Sequence, residues 1–156
     1  MSAKLKIFLS YSRADEDMKT DLDKHLIMLK RQDKIEVWQD REIMAGEEWD
    51  STIKNEIQAA HIILLLISVD FNNSRYIWEN ELKVAMDRQA DGKCRVIPVI
   101  LRTCEWSEMP YAKLQALPTG GKAVTTFADK DVAYTDIAKG IRNVVNFMTK
   151  PTNGFN

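Results

Sequence analysis

The sequence predicts an α/β domain built on a parallel sheet. Three observations predict it: short apolar runs alternate with stretches of helical periodicity, the run Ile62–Ile67 has no polar position, and the 156 residues suffice for one core but not for two ordinary ones. Hydrophobic residues make up 45% and charged residues 29%, a balance that excludes wholesale disorder and fibrous repeats.

From Lys4 to Tyr11 a short apolar run ends in small polar residues, and Asp15 then precedes Met18, Leu22, Leu26 and Leu29 at helical spacing. Strand, loop and helix follow in turn. Ile35–Trp38 is a second strand, and Gln39–Glu47 is a polar loop with one glycine. Trp49, Ile53 and Ile57 then mark a helix whose apolar stripe is headed by Trp49 as a core anchor. Ile62–Ile67 reads as the central strand, covered by helices on both sides. A helix from about Tyr76 to Gln89 runs through Leu82, Ala85 and Met86, and Arg95–Leu101 is a fourth strand. Pro98 inside it removes a ladder donor, which implies a bulge or a place near an edge. Arg102 to Gly121, with two prolines and a Gly pair, is loop apart from a turn of helix around Tyr111–Leu117. A weak fifth strand is expected at Ala123–Phe127. The last helix has Asp131 near its start and Ile137, Ile141, Val144, Val145 and Met148 on one face. Lys150–Asn156 has the composition of a linker. The architecture implied is flavodoxin-like: a central parallel sheet of about five strands with helices on both faces. Such a sheet gathers ligands at the carboxyl ends of its strands, where Ser10–Arg13, Gln39–Glu47 and Ser68–Ser74 fall.

Composition excludes several functions. Lys plus Arg total 22 against 23 Asp plus Glu, and the resulting charge of −1 offers no field for nucleic acid or acidic lipid. Ile62–Ile67 is the longest strictly apolar run, far short of a bilayer span, and Ile7–Leu9 is too brief for a signal segment, so a soluble cytoplasmic protein with no membrane partner is expected. Cys94 and Cys104 form no CxxC pair, and His25 and His61 form no HExxH pattern, which argues against a disulfide framework or a bound metal. Gly120-Gly121-Lys122 lacks the earlier glycine and the following Ser or Thr of a phosphate-binding Walker loop.

Four ordered segments carry a family resemblance. Phe8-Leu-Ser-Tyr-Ser-Arg-Ala-Asp15, Val37-Trp-Gln-Asp-Arg-Glu-Ile-Met-Ala-Gly46 with Trp49, Ser74-Arg-Tyr-Ile-Trp-Glu-Asn-Glu-Leu82, and Arg95–Arg102 with Trp106 and Leu114–Pro118 together resemble the bacterial TIR (Toll/interleukin-1 receptor) domains. The resemblance implies that residues 1–149 are a flavodoxin-like TIR domain and that 150–156 lead on to a sensor domain. It also implies one of two functions. The first is an NAD+ glycohydrolase or cyclase that cuts the nicotinamide–ribose bond, gives nicotinamide and ADP-ribose or a cyclic isomer, and is switched on by self-assembly in bacterial immunity. The second is a non-enzymatic adaptor that acts by homotypic TIR contacts. NAD+ enters as substrate, and no cofactor is implied.

Glu81 stands at the family's catalytic-glutamate position. One carboxylate suffices for this chemistry because nicotinamide departs as a neutral molecule, leaving the carboxylate to bind ribose hydroxyls and stabilise positive charge at the anomeric carbon. An arbitrary helix glutamate is ordinarily solvated, and the motif alone reverses that preference. Glu79, two residues earlier, should point elsewhere. Many relatives have Trp four residues before the glutamate, whereas here Tyr76 precedes it by five and Trp78 by three, so both aromatics are candidates to contact substrate. The resemblance further places Ser10, Tyr11, Arg13, Asp40, Glu42 and Ser74 around the substrate. Arg13 suits a phosphate, or else a surface pair with Asp15 or Asp17. Ser68, Asp70 and Ser74 could hydrogen-bond substrate or cap the next helix, and capping is the safer assignment. Ile43, Met44 and Gly46 belong to the family's assembly loop, the BB loop, where two apolar residues on a wet segment point to a protein contact and glycine allows backbone angles closed to other residues.

Overall fold

The computed structural model of the chain describes residues 4–38, 45–46 and 48–150. Four strands, β1 (Leu5–Ser10), β2 (Ile35–Trp38), β3 (Ile62–Ile67) and β4 (Arg95–Ile100), form one parallel sheet in the order β2-β1-β3-β4. The helices are α1 (Glu16–His25), α2 (Ile27–Arg31), α3 (Trp49–Ala59), α4 (Val69–Asn73), α5 (Lys83–Ala90) and α6 (Lys130–Met148). Among the described residues the α/β doubly wound expectation therefore holds, with four strands rather than five.

The period of two along β3 explains its lack of a polar face. Ile62, Leu64 and Leu66 point into a core shared with Leu22, Leu29, Ile137, Ile141 and Val145, so α1, α2 and α6 cover that side. Ile63, Leu65 and Ile67 point the other way, against Ile53 and Ile57 of α3 and Leu82 and Ala85 around α5. Every one of the six β3 side chains is at most 1% exposed, so each contributes close to its full burial, roughly 1.5–3 kcal/mol.

The expected fifth strand is a correction. Val124–Thr126 is a 3-10 turn, in which the Thr126 hydroxyl donates to the Ala123 carbonyl at 2.6 Å and the Phe127 N–H to the Val124 carbonyl at 3.1 Å. The outer edge of β4 is already taken: Leu117 donates to the Pro98 carbonyl at 2.9 Å and accepts from the Ile100 N–H at 2.8 Å. Pro98, on this edge strand, thus directs its missing donor outward, where it costs the ladder nothing.

The helix expected from Asp15 to Leu29 is broken at Leu26, whose N–H turns back to the Asp23 carbonyl. α6 is capped by Asp129, whose side chain accepts from the Asp131 N–H at 2.9 Å. The helix expected from Tyr76 to Gln89 is present but not uniformly α: Ile77–Leu82 is a π turn that leads into α5.

Candidate functional site

Apart from the exposed Lys6, β1 is apolar until its last residue. Phe8 and Ser10 share one face of the strand, the face covered by α3 and α5, so the Ser10 hydroxyl enters an otherwise apolar layer. It is wholly buried and needs a partner, which it finds in Glu81: the hydroxyl donates to Oε1 at 2.6 Å. That length lies in the range of a charge-assisted bond to a carboxylate. Glu81 itself is only 9% exposed, rare for a glutamate and sustainable only with such partners.

The π turn determines which residue accompanies Glu81. A turn closed by i→i+5 bonds brings residues five apart onto one face, whereas an α turn does this for residues four apart. Tyr76 thereby stands one turn before Glu81, and the Glu81 charge is felt at its phenol. Burial, first, and then the hydrogen bond and charge of Asp50 and the charge of Glu81 hold that phenol well above the usual tyrosine range. Its hydroxyl donates to Asp50 Oδ1 at 3.0 Å, and its ring lies 4.7 Å from that of Trp49. Asp50 is paired with Lys54 at 2.9 Å, and this bond and that from Tyr76 hold its carboxyl below the usual range.

Trp49, expected as a core anchor, is 46% exposed at the start of α3. It heads the stripe and packs its ring against that of Tyr76. Trp78 has different surroundings from Tyr76. Its indole N–H donates to the Asn72 carbonyl at 2.7 Å, and its ring lines a groove with Leu82, Lys83, Met86, Asp87 and Pro110. Glu79 points into solvent and pairs with Arg75 at 3.4 Å, as its spacing from Glu81 implied.

The remaining residues expected from sequence divide into three groups. Ser74 is occupied by the backbone, its hydroxyl accepting from the Ile77 N–H at 3.2 Å at the entry to the π turn. Tyr11 is half-buried, with the Lys19 ammonium 5.1 Å from its ring centre, and Arg13 is exposed in a 3-10 turn that Ser12 caps. Asp40, Glu42, Ile43 and Met44 lie outside the described residues. Gly46 is described and has φ +89°, a left-handed conformation that suits glycine.

Sequence reasoning missed a buried polar network beside this site. Asp15 is 2% exposed and accepts from the Ser68 hydroxyl and, at 2.8 Å, from Arg102 Nε. The other arm of Arg102 reaches Asp70, so both acidic neighbours hold the guanidinium pKa above its ordinary value. Ser68 also caps α4, accepting from the Phe71 N–H at 3.1 Å. Arg102 thus takes the place that sequence offered to Arg13 as the partner of Asp15, and Lys19 is buried completely. Arg102 lies 87 residues from Asp15, a pairing that no local spacing reveals.

Other features lie apart from Glu81. A cavity of about 290 Å³ lined by Lys6, Phe8, Glu36, Trp38, Glu56 and Ala60 follows β1 and β2 and does not include it. Burial raises the pKa of both the Cys94 and the Cys104 thiols, away from the reactive thiolate. Among the described residues no group of three or more His, Cys, Asp or Glu could hold a metal ion, and no helix is long and apolar enough to cross a membrane.

The class is thus a flavodoxin-like parallel domain with a buried, hydrogen-bonded carboxylate at the carboxyl end of its sheet. The model of the TIR domain family matches residues 7–140, and the chain belongs to that family. It is also similar to the uncharacterized protein y4lF of Sinorhizobium fredii (strain NBRC 101917 / NGR234), at 44% identity over 144 residues, or 92% of this chain. The chain spans 45% of the length of that relative.

Proposed function

We propose that this TIR domain cleaves the nicotinamide–ribose bond of NAD+, with Glu81 as the catalytic residue, and that it does so as an assembled effector in bacterial immunity. One observation carries the reading: Glu81, the residue at the family's catalytic position, is a buried carboxylate in a π turn, hydrogen-bonded to Ser10 at the carboxyl end of β1. Such turns are frequent at functional sites, and a buried carboxylate at the ligand-binding end of a parallel sheet is costly to keep for structure alone.

In the reaction the bond between C1′ and the pyridinium nitrogen breaks, and its electron pair leaves with nicotinamide, which departs neutral. Positive charge grows on the ribosyl carbon, and the fixed negative charge of Glu81 stabilises it. Water then adds at C1′ and releases a proton to solvent, giving ADP-ribose, or a nucleophilic atom of the same molecule adds, its group likewise giving up a proton, and gives a cyclic isomer. In this reading Tyr76 is the aromatic beside the carboxylate, and Tyr11, Arg13, Asp40 and Glu42 surround the remainder of the dinucleotide.

Assembly belongs to the same proposal, carried by Ile43, Met44 and Gly46. An Ile43 side chain buried against a neighbour would contribute roughly 1.5–3 kcal/mol, which Ile43→Asp would remove while adding a charge to desolvate. Ile43→Asp and Gly46→Pro should each give a folded monomer with little cleavage, read by light scattering and nicotinamide release side by side. The direct test is mass spectrometry of NAD+ incubated with concentrated or artificially clustered protein. Nicotinamide together with ADP-ribose or an isomer is expected, and intact NAD+ would leave the adaptor reading in its place.

A further inference from the structure

We infer that Ser10 is a positioning residue that acts through Glu81, and does not contact the substrate itself. The inference rests on the proposed catalytic role of Glu81. Its geometry is independent of that role: the hydroxyl has no exposed surface, and it donates to Glu81 Oε1 at 2.6 Å from a strand 71 residues away in sequence. A buried hydroxyl committed to a carboxylate does not reach a ligand. It fixes one oxygen, and with it the plane of the carboxylate, so the charge has a defined position before substrate arrives.

Three features support the assignment. First, Ser10 is the one buried polar residue of β1, the exposed Lys6 lying at the far end of the same face, and alanine would satisfy the strand as well, so serine here is explained by the bond it makes. Second, Glu81 sits in a π turn, a geometry that packing alone rarely maintains, and Ser10 anchors its side chain to the sheet. Third, a hydrogen bond donated to the carboxylate offsets part of the cost of burying it. Preorganised charge is the part of an active site that raises kcat, because the cost of orienting it is met on folding and not during the reaction.

The test uses Ser10→Ala, Ser10→Thr and Glu81→Gln in the clustered whole chain, with nicotinamide release measured across NAD+ concentrations. Loss of a hydrogen bond to a charged group, about 1.5–3 kcal/mol, corresponds to roughly a 10- to 150-fold fall in kcat for Ser10→Ala. The KM should stay within about twofold of the parent value, and Ser10→Thr, which retains the hydroxyl, should recover most of the loss. In thermal unfolding, Ser10→Ala and Glu81→Gln should be non-additive, since one removes the donor of this bond and the other removes the charge on its acceptor. Unchanged kcat in Ser10→Ala, a rise in KM alone, or additive stability effects would each overturn the inference, the second by making Ser10 a substrate contact. If the clustered parent releases no nicotinamide, the catalytic reading itself falls and this inference falls with it. If the parent cleaves NAD+ and Ser10→Ala matches it, only the role of Ser10 is lost.

Discussion

The two ends of the sheet are built to different rules. At the amino ends of β3 and β4 the polar demands are met by ordinary surface devices: the half-buried His61 ring accepts from the Lys6 N–H at 2.8 Å, and the His61 carbonyl accepts from Arg95. At the carboxyl ends the buried polar side chains collect. Ser10, Asp15, Lys19, Ser68 and Glu81 are all at most 9% exposed; Ser10 ends β1, Ser68 follows β3, Asp15 and Lys19 lie in the turn and helix after β1, and Glu81 meets Ser10 from the π turn. Each would cost stability if unpaired, and Ser10, Asp15, Ser68 and Glu81 are held in two hydrogen-bonded groups. The difference teaches where the molecule accepts an energetic cost, and that place coincides with the end of a parallel sheet at which ligands bind.

The comparison can be broken first at Arg102. Arg102→Ala leaves Asp15 buried without its cation, and a loss of about 3 kcal/mol is expected, at the lower end for a broken buried pair because the guanidinium is 32% exposed. Denaturant unfolding measures it, and a loss under about 1 kcal/mol would mean that the carboxyl end does not depend on this network. Ser68→Ala removes both the cap of α4 and a donor to Asp15, so a smaller loss of about 1–2 kcal/mol is expected in the same assay.

The smallest effect concerns a buried hydroxyl away from the site. Tyr134 on α6 has a phenol oxygen with no hydrogen-bond partner, and burial, then the charges of Asp21 and Asp131, push its pKa up from 10.0 to about 12. The folded state therefore holds the protonated form. That contribution to stability is complete below about pH 10 and is lost as the pH rises toward 12. Tyr134→Phe should change stability by less than about 1 kcal/mol at neutral pH, and it should flatten the alkaline decline. A decline of equal slope in the variant would assign the alkaline sensitivity to other groups.

The sheet and most helices were legible in sequence because burial imposes a period. β3 reads as buried on both faces, α3 shows its stripe at Ile53 and Ile57, and Pro98 announces an edge. The fifth strand was misread because Ala123–Phe127 has strand-like composition, while the decision lay with Leu117, which already occupies the edge of β4. The π turn left one trace, the spacing of five between Tyr76 and Glu81, because π and α turns share the same residue preferences. Glu81 was reached through the family motif, yet its bond to Ser10 and the pairing of Asp15 with Arg102 are contacts between distant segments and were invisible to any local pattern.

In the proposed function the charge of Glu81 is the chemical centre of the molecule. The most direct measurement is nicotinamide release from NAD+ by clustered parent, Glu81→Gln and Glu79→Gln proteins, with folding checked by thermal unfolding. Glu79, exposed and paired with Arg75, is the matched control two residues away. Glu81→Gln is expected to stay folded and assembled but to lose cleavage, while Glu79→Gln remains close to the parent. Near-parental turnover by Glu81→Gln would contradict the proposal.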